Sequence, residues 1–371
     1  MTRIFSTKNA RRVRGSICIA CWLSAVIAGL ATIGTEASAS DLSGFPVKIM
    51  IISMFPREAQ PWITNLRLDK EIAVPGLRTP DFAVHCNAEG VCNVIIGEGH
   101  ANAAASIMAL LLSRKFELTH TYFLIAGIAG VDPKRATVGS ATRARYVVDF
   151  GLESEIDARE MPAGWESGYF ALGSTGPGQP PKSKLRSYAT EHYELNETLL
   201  QKILSLSSAV KLADSGAAQA YRARYPTPPA NQPPKVIQCD TASGDTFWQG
   251  RLLGMHAEQW VALMTHGKGV YCTTEQEDNA TMAALTRGAE AGLIDINRVA
   301  ILRTASDFDR PYPGQSAYDS LIANSPPISL ALENLYNAGV PWVNDVVANW
   351  PQWREGVPRL AAPAAGASPG K

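Results

Sequence analysis

What this chain lacks narrows its function before any motif is read. It has no excess of charge, since 34 Lys and Arg stand against 34 Asp and Glu. That balance argues against a nucleic-acid groove or a polybasic membrane patch. After residue 40 there is no run of about 18 consecutive apolar residues, the length a spanning helix needs. No Cys/His spacing of a metal site is present. His85, His100, His120, His192, His256 and His266 are scattered, each is read as structural, and neither metal nor cofactor is expected. What remains is ordinary globular material, 46% apolar and 18% charged over 371 residues. That is enough for one large α/β domain or two ordinary ones.

The first 39 residues read as a secretory signal peptide. Arg3, Lys8, Arg11, Arg12 and Arg14 form a basic start, Ile17 to Ile33 an apolar middle, and Ala37-Ser38-Ala39 a small-residue cleavage site. The mature chain is then expected in the periplasm or secreted, with no membrane span. In that oxidising setting Cys86 and Cys92, with a five-residue turn-like spacer between them, are disulfide candidates. Cys239 and Cys272 are either a second pair or two buried thiols. Residues 361–371 are rich in Ala, Pro and Gly and read as a disordered tail.

Between these ends, buried strands alternate with glycine turns and helices. Val47 to Met54 is apolar nearly throughout, as a parallel-sheet strand is. Asp81 to Cys86 and Cys92 to Ile96 form a hairpin, and a helix follows from Ala103. Thr121 to Ala126 is a strand closed by a glycine turn, Gly127 to Gly130, and Ala141 to Asp149 is one long strand. Residues 151–234 change in composition, with Gly/Pro-rich flanks around a helical stretch, Tyr193 to Ala220. This reads as a helical insertion, either a lid or an extension of the core. Asp240 to Trp248 reads as a polar turn ending in two aromatics. The alternation as a whole predicts an α/β fold with a central mixed, largely parallel sheet flanked by helices, within a single domain over residues 40–360.

Acids recur at the carboxyl ends of these strands, where ligands of open α/β sheets sit. Glu58 follows the first strand; its alternative role is a favourable charge on a helix dipole. Glu275-Gln276-Glu277 precedes a helix, where Thr274 and Glu277 have the spacing of a capping box. The apolar run Val299 to Leu302 breaks abruptly into Thr304-Ala305-Ser306-Asp307-Phe308-Asp309. There Asp307 is either a buried acid facing a ligand or part of a strand-ending turn in which it caps a helix or pairs with Arg303 or Arg310.

Taken together and in order, these stretches resemble the nucleoside phosphorylase/nucleosidase superfamily. The shared pieces are the strand and acidic turn at 47–59, Gly97-Glu98-Gly99-His100-Ala101-Asn102, the segment from Gly127 to Asp149, Ala242 to Phe247, Glu275-Gln276-Glu277 and Ser306-Asp307. More narrowly, the mature chain resembles the purine nucleoside permease family. That likeness rests on Ile-Ile-Ser-Met-Phe-Pro-Arg-Glu-Ala at 51–59, Phe-Leu-Ile-Ala-Gly-Ile-Ala-Gly-Val-Asp-Pro at 123–133 and Arg-Thr-Ala-Ser-Asp-Phe-Asp-Arg-Pro at 303–311.

The resemblance implies a nucleoside phosphorylase-like three-layer fold, a purine nucleoside ligand and a homo-oligomer. It implies roles as well. Asp307 would protonate a purine ring nitrogen beside Ser306, and Glu277 would hold the ribose hydroxyls next to Gln276. Phe247 would lie on the purine face with the Trp248 backbone at its edge. Glu58 would activate water, and Gly127 belongs to the central glycine segment. Phosphate is the alternative co-substrate. The segment Leu124 to Gly130 offers it neither Arg nor Ser and Glu58 would repel it, unless Arg57, Arg143 or Arg303 supplies the cation. A permease that spans the bilayer needs helices or a closed barrel, and this sequence predicts neither. Hydrolysis, nucleoside binding without turnover, and a structural or partner-binding role on the phosphorylase fold remain the three readings.

Overall fold

Alternate residues of the central strands serve opposite faces of one sheet, and helices cover both. The computed structural model describes residues 44–78, 83–181, 188–323 and 327–360. The expected signal peptide, residues 1–39, and the expected tail, residues 361–371, lie outside the described residues. Ile49–Ser53 lies between Val91–Ile95 and Tyr122–Val131, parallel to both. Val299–Phe308 runs parallel along the other side of Tyr122–Val131. The far end of Tyr122–Val131 takes Tyr271–Glu275 as an antiparallel neighbour. The sheet then continues in parallel through Asp240–Ser243 to Tyr146–Asp149. A mixed, largely parallel sheet is the result.

Met50, Ile52, Phe123, Ile125 and Ile301 pack on one face with Ile107 and Leu110 of the helix His100–Leu112 and Leu285 of the helix Asp278–Glu290. Ile49, Ile51, Tyr122, Leu124 and Leu302 pack on the other with Trp62, Trp342 and Trp353, from the helices Pro56–Asn65, Ile328–Ala348 and Trp350–Glu355. Each fully buried side chain of this kind contributes about 1.5–3 kcal/mol, so the sheet is clamped from both sides and its strand ends are held still. Among the described residues no helix is long and apolar enough to cross a membrane.

Cys86 and Cys92 are direct cross-strand partners in the hairpin Val84–Cys86/Val91–Ile95 and are joined by a disulfide. Cys239 and Cys272 form a second disulfide. Residues 151–234 hold a hairpin, Glu153–Glu155 with Tyr169–Ala171, a short strand His192–Glu194, and two helices, Glu197–Ser207 and Gly216–Arg222. Leu199 and Ile203 of the first helix are buried beside Trp342.

Four local expectations are corrected. Gly127 to Gly130 is not a turn but the continuation of Tyr122–Val131. Asp240 to Ser243 is a strand rather than a turn. The stretch from Ala141 to Asp149 divides into Ala141–Arg143 and Tyr146–Asp149, because Asp240 Oδ1 accepts the amides of Arg145 and Tyr146 at 2.9 and 2.7 Å and pins a bend there. Val299 to Leu302 does not break off, and the strand runs on to Phe308. At the end of Val299–Phe308 the polar residues mislead because they line a cavity instead of meeting solvent.

Candidate functional site

The carboxyl ends of four of these strands meet around one cavity of about 290 Å³. Met54, Phe55 and Glu58 come from the turn after Ile49–Ser53, and Ile128 to Gly130 from Tyr122–Val131. Thr274 to Glu277 follow Tyr271–Glu275, and Arg303, Ser306 and Asp307 come from Val299–Phe308.

Glu58 sits in the first turn of its helix and is 1% exposed. Its Oε2 accepts the Met54 amide at 2.8 Å and its Oε1 the Ile128 amide at 2.7 Å. Burial pushes its pKa up to about 8, although Arg303 and the two amides favour the anion. A carboxylate so poised can take a proton near neutral pH. This approach requires Gly127. A Cβ there would lie 2.5 Å from Arg303 Nη1, 2.7 Å from Met54 Sδ and 2.8 Å from Glu58 Oε1.

Arg303 is buried among acids. Its Nη2 donates to Asp278 Oδ1 at 2.6 Å, Glu275 Oε2 at 3.1 Å and Glu277 Oε2 at 3.2 Å, and its Nη1 to the Ile128 carbonyl at 2.9 Å. Burial raises the proton affinity of Asp278 to about 7, and raises those of Glu275 and Glu277, against the pull of Arg303. Glu275 Oε2 also accepts the amides of Glu277 and Asp278 at 2.7 and 2.8 Å. Glu275, not the Thr274/Glu277 box, therefore caps the helix Asp278–Glu290, whose N-cap residue Glu277 makes no side-chain cap bond. Glu277 instead faces the cavity, with Oε1 accepting the Gly99 amide at 3.1 Å.

The strand carrying Asp307 has a bulge. Ala305 pairs with Ala129 and Asp307 with Gly130, so Ser306 is the extra residue. A bulge re-aims side chains at a sheet margin, and here both Ser306 and Asp307 line the cavity. Ser306 Oγ lies 2.7 Å from Asp307 Oδ1, and Gln249 Nε2 donates to Oδ2 at 3.0 Å. Burial pushes the Asp307 pKa up to about 6, while these two donors favour the anion. One side of Asp307 stays open to the cavity, and its residue is only half-buried.

Glu58, Phe247, Gln276, Glu277, Ser306 and Asp307 thus surround one space. Phe247 stands at its mouth, 60% exposed. Gln276 is held by the Asp245 carbonyl. Trp248 lies outside the lining, buried with its ring 5.6 Å from that of Phe150, and Gly127 lies behind the lining, beneath Glu58. Asp309 and Arg310 do not reach the cavity. Asp309 accepts from Arg310 Nε at 2.7 Å and from the Tyr271 hydroxyl at 2.7 Å, and Arg310 also meets Asp132 and Glu258. Of the three arginines considered for phosphate, Arg57 lies exposed in a separate groove, and Arg143 is buried with Nη2 on the Ala338 carbonyl. Arg303 alone is at the site, and three carboxylates occupy it.

Sequence reasoning missed Gln249, the Glu275 cap and the Arg303 hub. Gln249 carries a weak signal, an amide directly after the Phe247-Trp248 pair. The sequence offers Arg303 as a partner of Asp307 or a phosphate cation, but not as a hub, because its acidic partners lie 25 to 28 residues away in the chain.

A family model described as purine nucleoside permease (NUP) matches residues 46–358, and the chain belongs to that family. It is 42% identical over 322 residues to a probable purine nucleoside permease of Schizosaccharomyces pombe, covering 84% of this chain and 92% of that one. It is 40% identical over 309 residues to a purine nucleoside permease of Candida albicans, covering 82% and 75%. Among solved structures, a 5'-methylthioadenosine/S-adenosylhomocysteine nucleosidase of Helicobacter pylori is similar at a TM-score of 0.48 and 14% identity, over 82% of this chain and 99% of that one. A futalosine hydrolase of the same organism is similar at a TM-score of 0.49 and 14% identity, over 82% and 98%.

Proposed function

We propose that this protein is an exported purine nucleoside-binding hydrolase that cleaves the purine N-glycosidic bond. The observation that carries the reading is the charge of the cavity. Glu58, Glu275 and Glu277 line it around one arginine that is fully engaged, with Asp278 paired to that arginine behind them. Such a site disfavours a phosphate anion and favours a cation-like sugar, the character that glycosidic cleavage develops in its transition state.

In this mechanism Glu277 accepts hydrogen bonds from the ribose hydroxyls and Phe247 offers its ring face to the base. Glu58, oriented through both oxygens, takes a proton from water as that water attacks the anomeric carbon. The carbon–nitrogen bond breaks, its electrons pass to the purine, and Asp307 gives a purine nitrogen its proton. Ribose and free base leave, and the two carboxyl groups exchange protons with solvent to reset. The N-terminal signal pattern and two disulfides support export to an oxidising compartment.

The names of the relatives favour a second reading, a nucleoside-binding component of uptake without turnover. Incubating the purified chain with inosine or adenosine, with and without phosphate, separates the two. Free base released without phosphate is the expected result. Saturable binding with no product leaves the second reading, phosphate-dependent release makes the protein a phosphorylase, and absence of any nucleoside binding overturns all three.

A further inference from the structure

Gln249 lies in none of the motifs that frame the cavity, yet it is fixed at three points. Its Oε1 accepts the Ser320 hydroxyl at 3.1 Å. Its Nε2 donates to the Phe308 carbonyl at 2.7 Å and to Asp307 Oδ2 at 3.0 Å. Gln249 is 9% exposed and Ser320 8%. Next to it, the Gly250 amide donates to the Asp309 carbonyl at 2.9 Å, tying this segment to the end of the Asp307 strand. The amide cannot be turned round without loss. A flip would set its oxygen against the Phe308 carbonyl, which only accepts, and its NH₂ against Ser320. The direction of the hydrogen bond to Asp307 is therefore set from outside the cavity.

We propose that Gln249, anchored by Ser320, is a positioning residue that holds the Asp307 carboxyl in one plane and keeps its Oδ2 an acceptor. The inference rests on the reading of Asp307 as the acid facing the base. With Oδ2 committed to Gln249, the exchangeable proton of Asp307 belongs to Oδ1, on the Ser306 side. A donor on Oδ2 also favours the anion and so offsets part of what burial does. The other titratable groups that sense Asp307 are Tyr221 and Tyr225, and Asp309 follows the end of its strand. None of them is altered in the test.

The test compares the full chain with Gln249→Met and Ser320→Ala, using ¹³C-carboxyl NMR with the Asp307 signal assigned through Asp307→Asn. Removing the donor in Gln249→Met should raise the Asp307 midpoint by about half a pH unit or more. Ser320→Ala should move it the same way by less. With inosine, kcat of Gln249→Met should fall on the order of 10-fold with KM little changed, because binding survives and geometry does not. If Gln249→Met does not fold, Ser320→Ala decides alone. A folded variant with an unmoved midpoint overturns the inference even if the wild type turns over. A raised midpoint in a protein that cleaves no nucleoside leaves the positioning intact and removes the hydrolase reading instead.

Discussion

Arg303 and Asp278 are joined at 2.6 Å beneath the cavity, and the same Nη2 is shared with Glu275 and Glu277. All four groups are buried. Removing the one cation leaves three buried acids unpaired, and breaking a buried pair in this way costs about 3–5 kcal/mol. Arg303→Met should therefore lower stability by that order, read as a reduced midpoint in urea unfolding at pH 7.

The pH profile follows from the two acids assigned to the chemistry. In the proposed mechanism Asp307 carries a proton and Glu58 has lost one, while burial raises their pKa values to about 6 and about 8. The profile of kcat/KM for inosine should then be bell-shaped with limbs near those values. The productive form is the minority species. Asp307→Asn should abolish turnover, and unchanged activity would sink its assignment as acid. Glu58→Gln should remove the limb near 8 from whatever activity is left.

Asp307 should also cost stability when it ionises. Its folded pKa is raised from 3.8 to about 6. The penalty is absent below the unfolded value, grows between, and is complete above about 6. The shift corresponds to about 3 kcal/mol, and the open side of Asp307 reduces this to about 1–2 kcal/mol. Asn fits the same partners, since its NH₂ can face Ser306 and its oxygen can accept from Gln249. Asp307→Asn should thus match the wild type in thermal midpoint at pH 4 and exceed it at pH 7; equal midpoints at both would refute the penalty.

Gly127→Ala puts a methyl group where Arg303, Met54 and Glu58 already meet. The strand can hold an alanine, but the carboxylate cannot stay where it is. Turnover should fall by about 100-fold while circular dichroism stays unchanged. Retention of full activity would show that Glu58 need not hold its observed position.

The Cys239–Cys272 disulfide borders two parallel strands, one of which ends in Glu275. Cys239→Ala with Cys272→Ala should cost about 2–4 kcal/mol. Thermal unfolding with and without reductant provides the check, since the double variant should lose most of its response to reductant.

Much of the sheet was legible because its strands are apolar on both faces, and a continuous run such as Ile49 to Ile52 admits few other readings. Two candidate acids, Glu58 and Asp307, could be located because each follows such a run. The rest depended on contacts across the chain. Gln249 meets Asp307 from 58 residues away. The length of the strand carrying Asp307 was hidden because its outer half is polar toward a cavity, which in one dimension looks like a turn. Gly127 was misread for a related reason: a glycine that makes room for other side chains has the same letter as one that bends the backbone.

The bulge at Ser306 turns chain length into an instruction. Ala305 and Phe308 stay in one buried cluster while the two residues between them both open onto the cavity. With a regular alternation only one of that pair could do so. Position 306 thus speaks twice, once as a hydroxyl beside an acid and once simply by being counted. A substitution there edits the first message and leaves the second. A one-residue deletion would erase the second and change the parity of everything after it, turning the acid away from the space it serves.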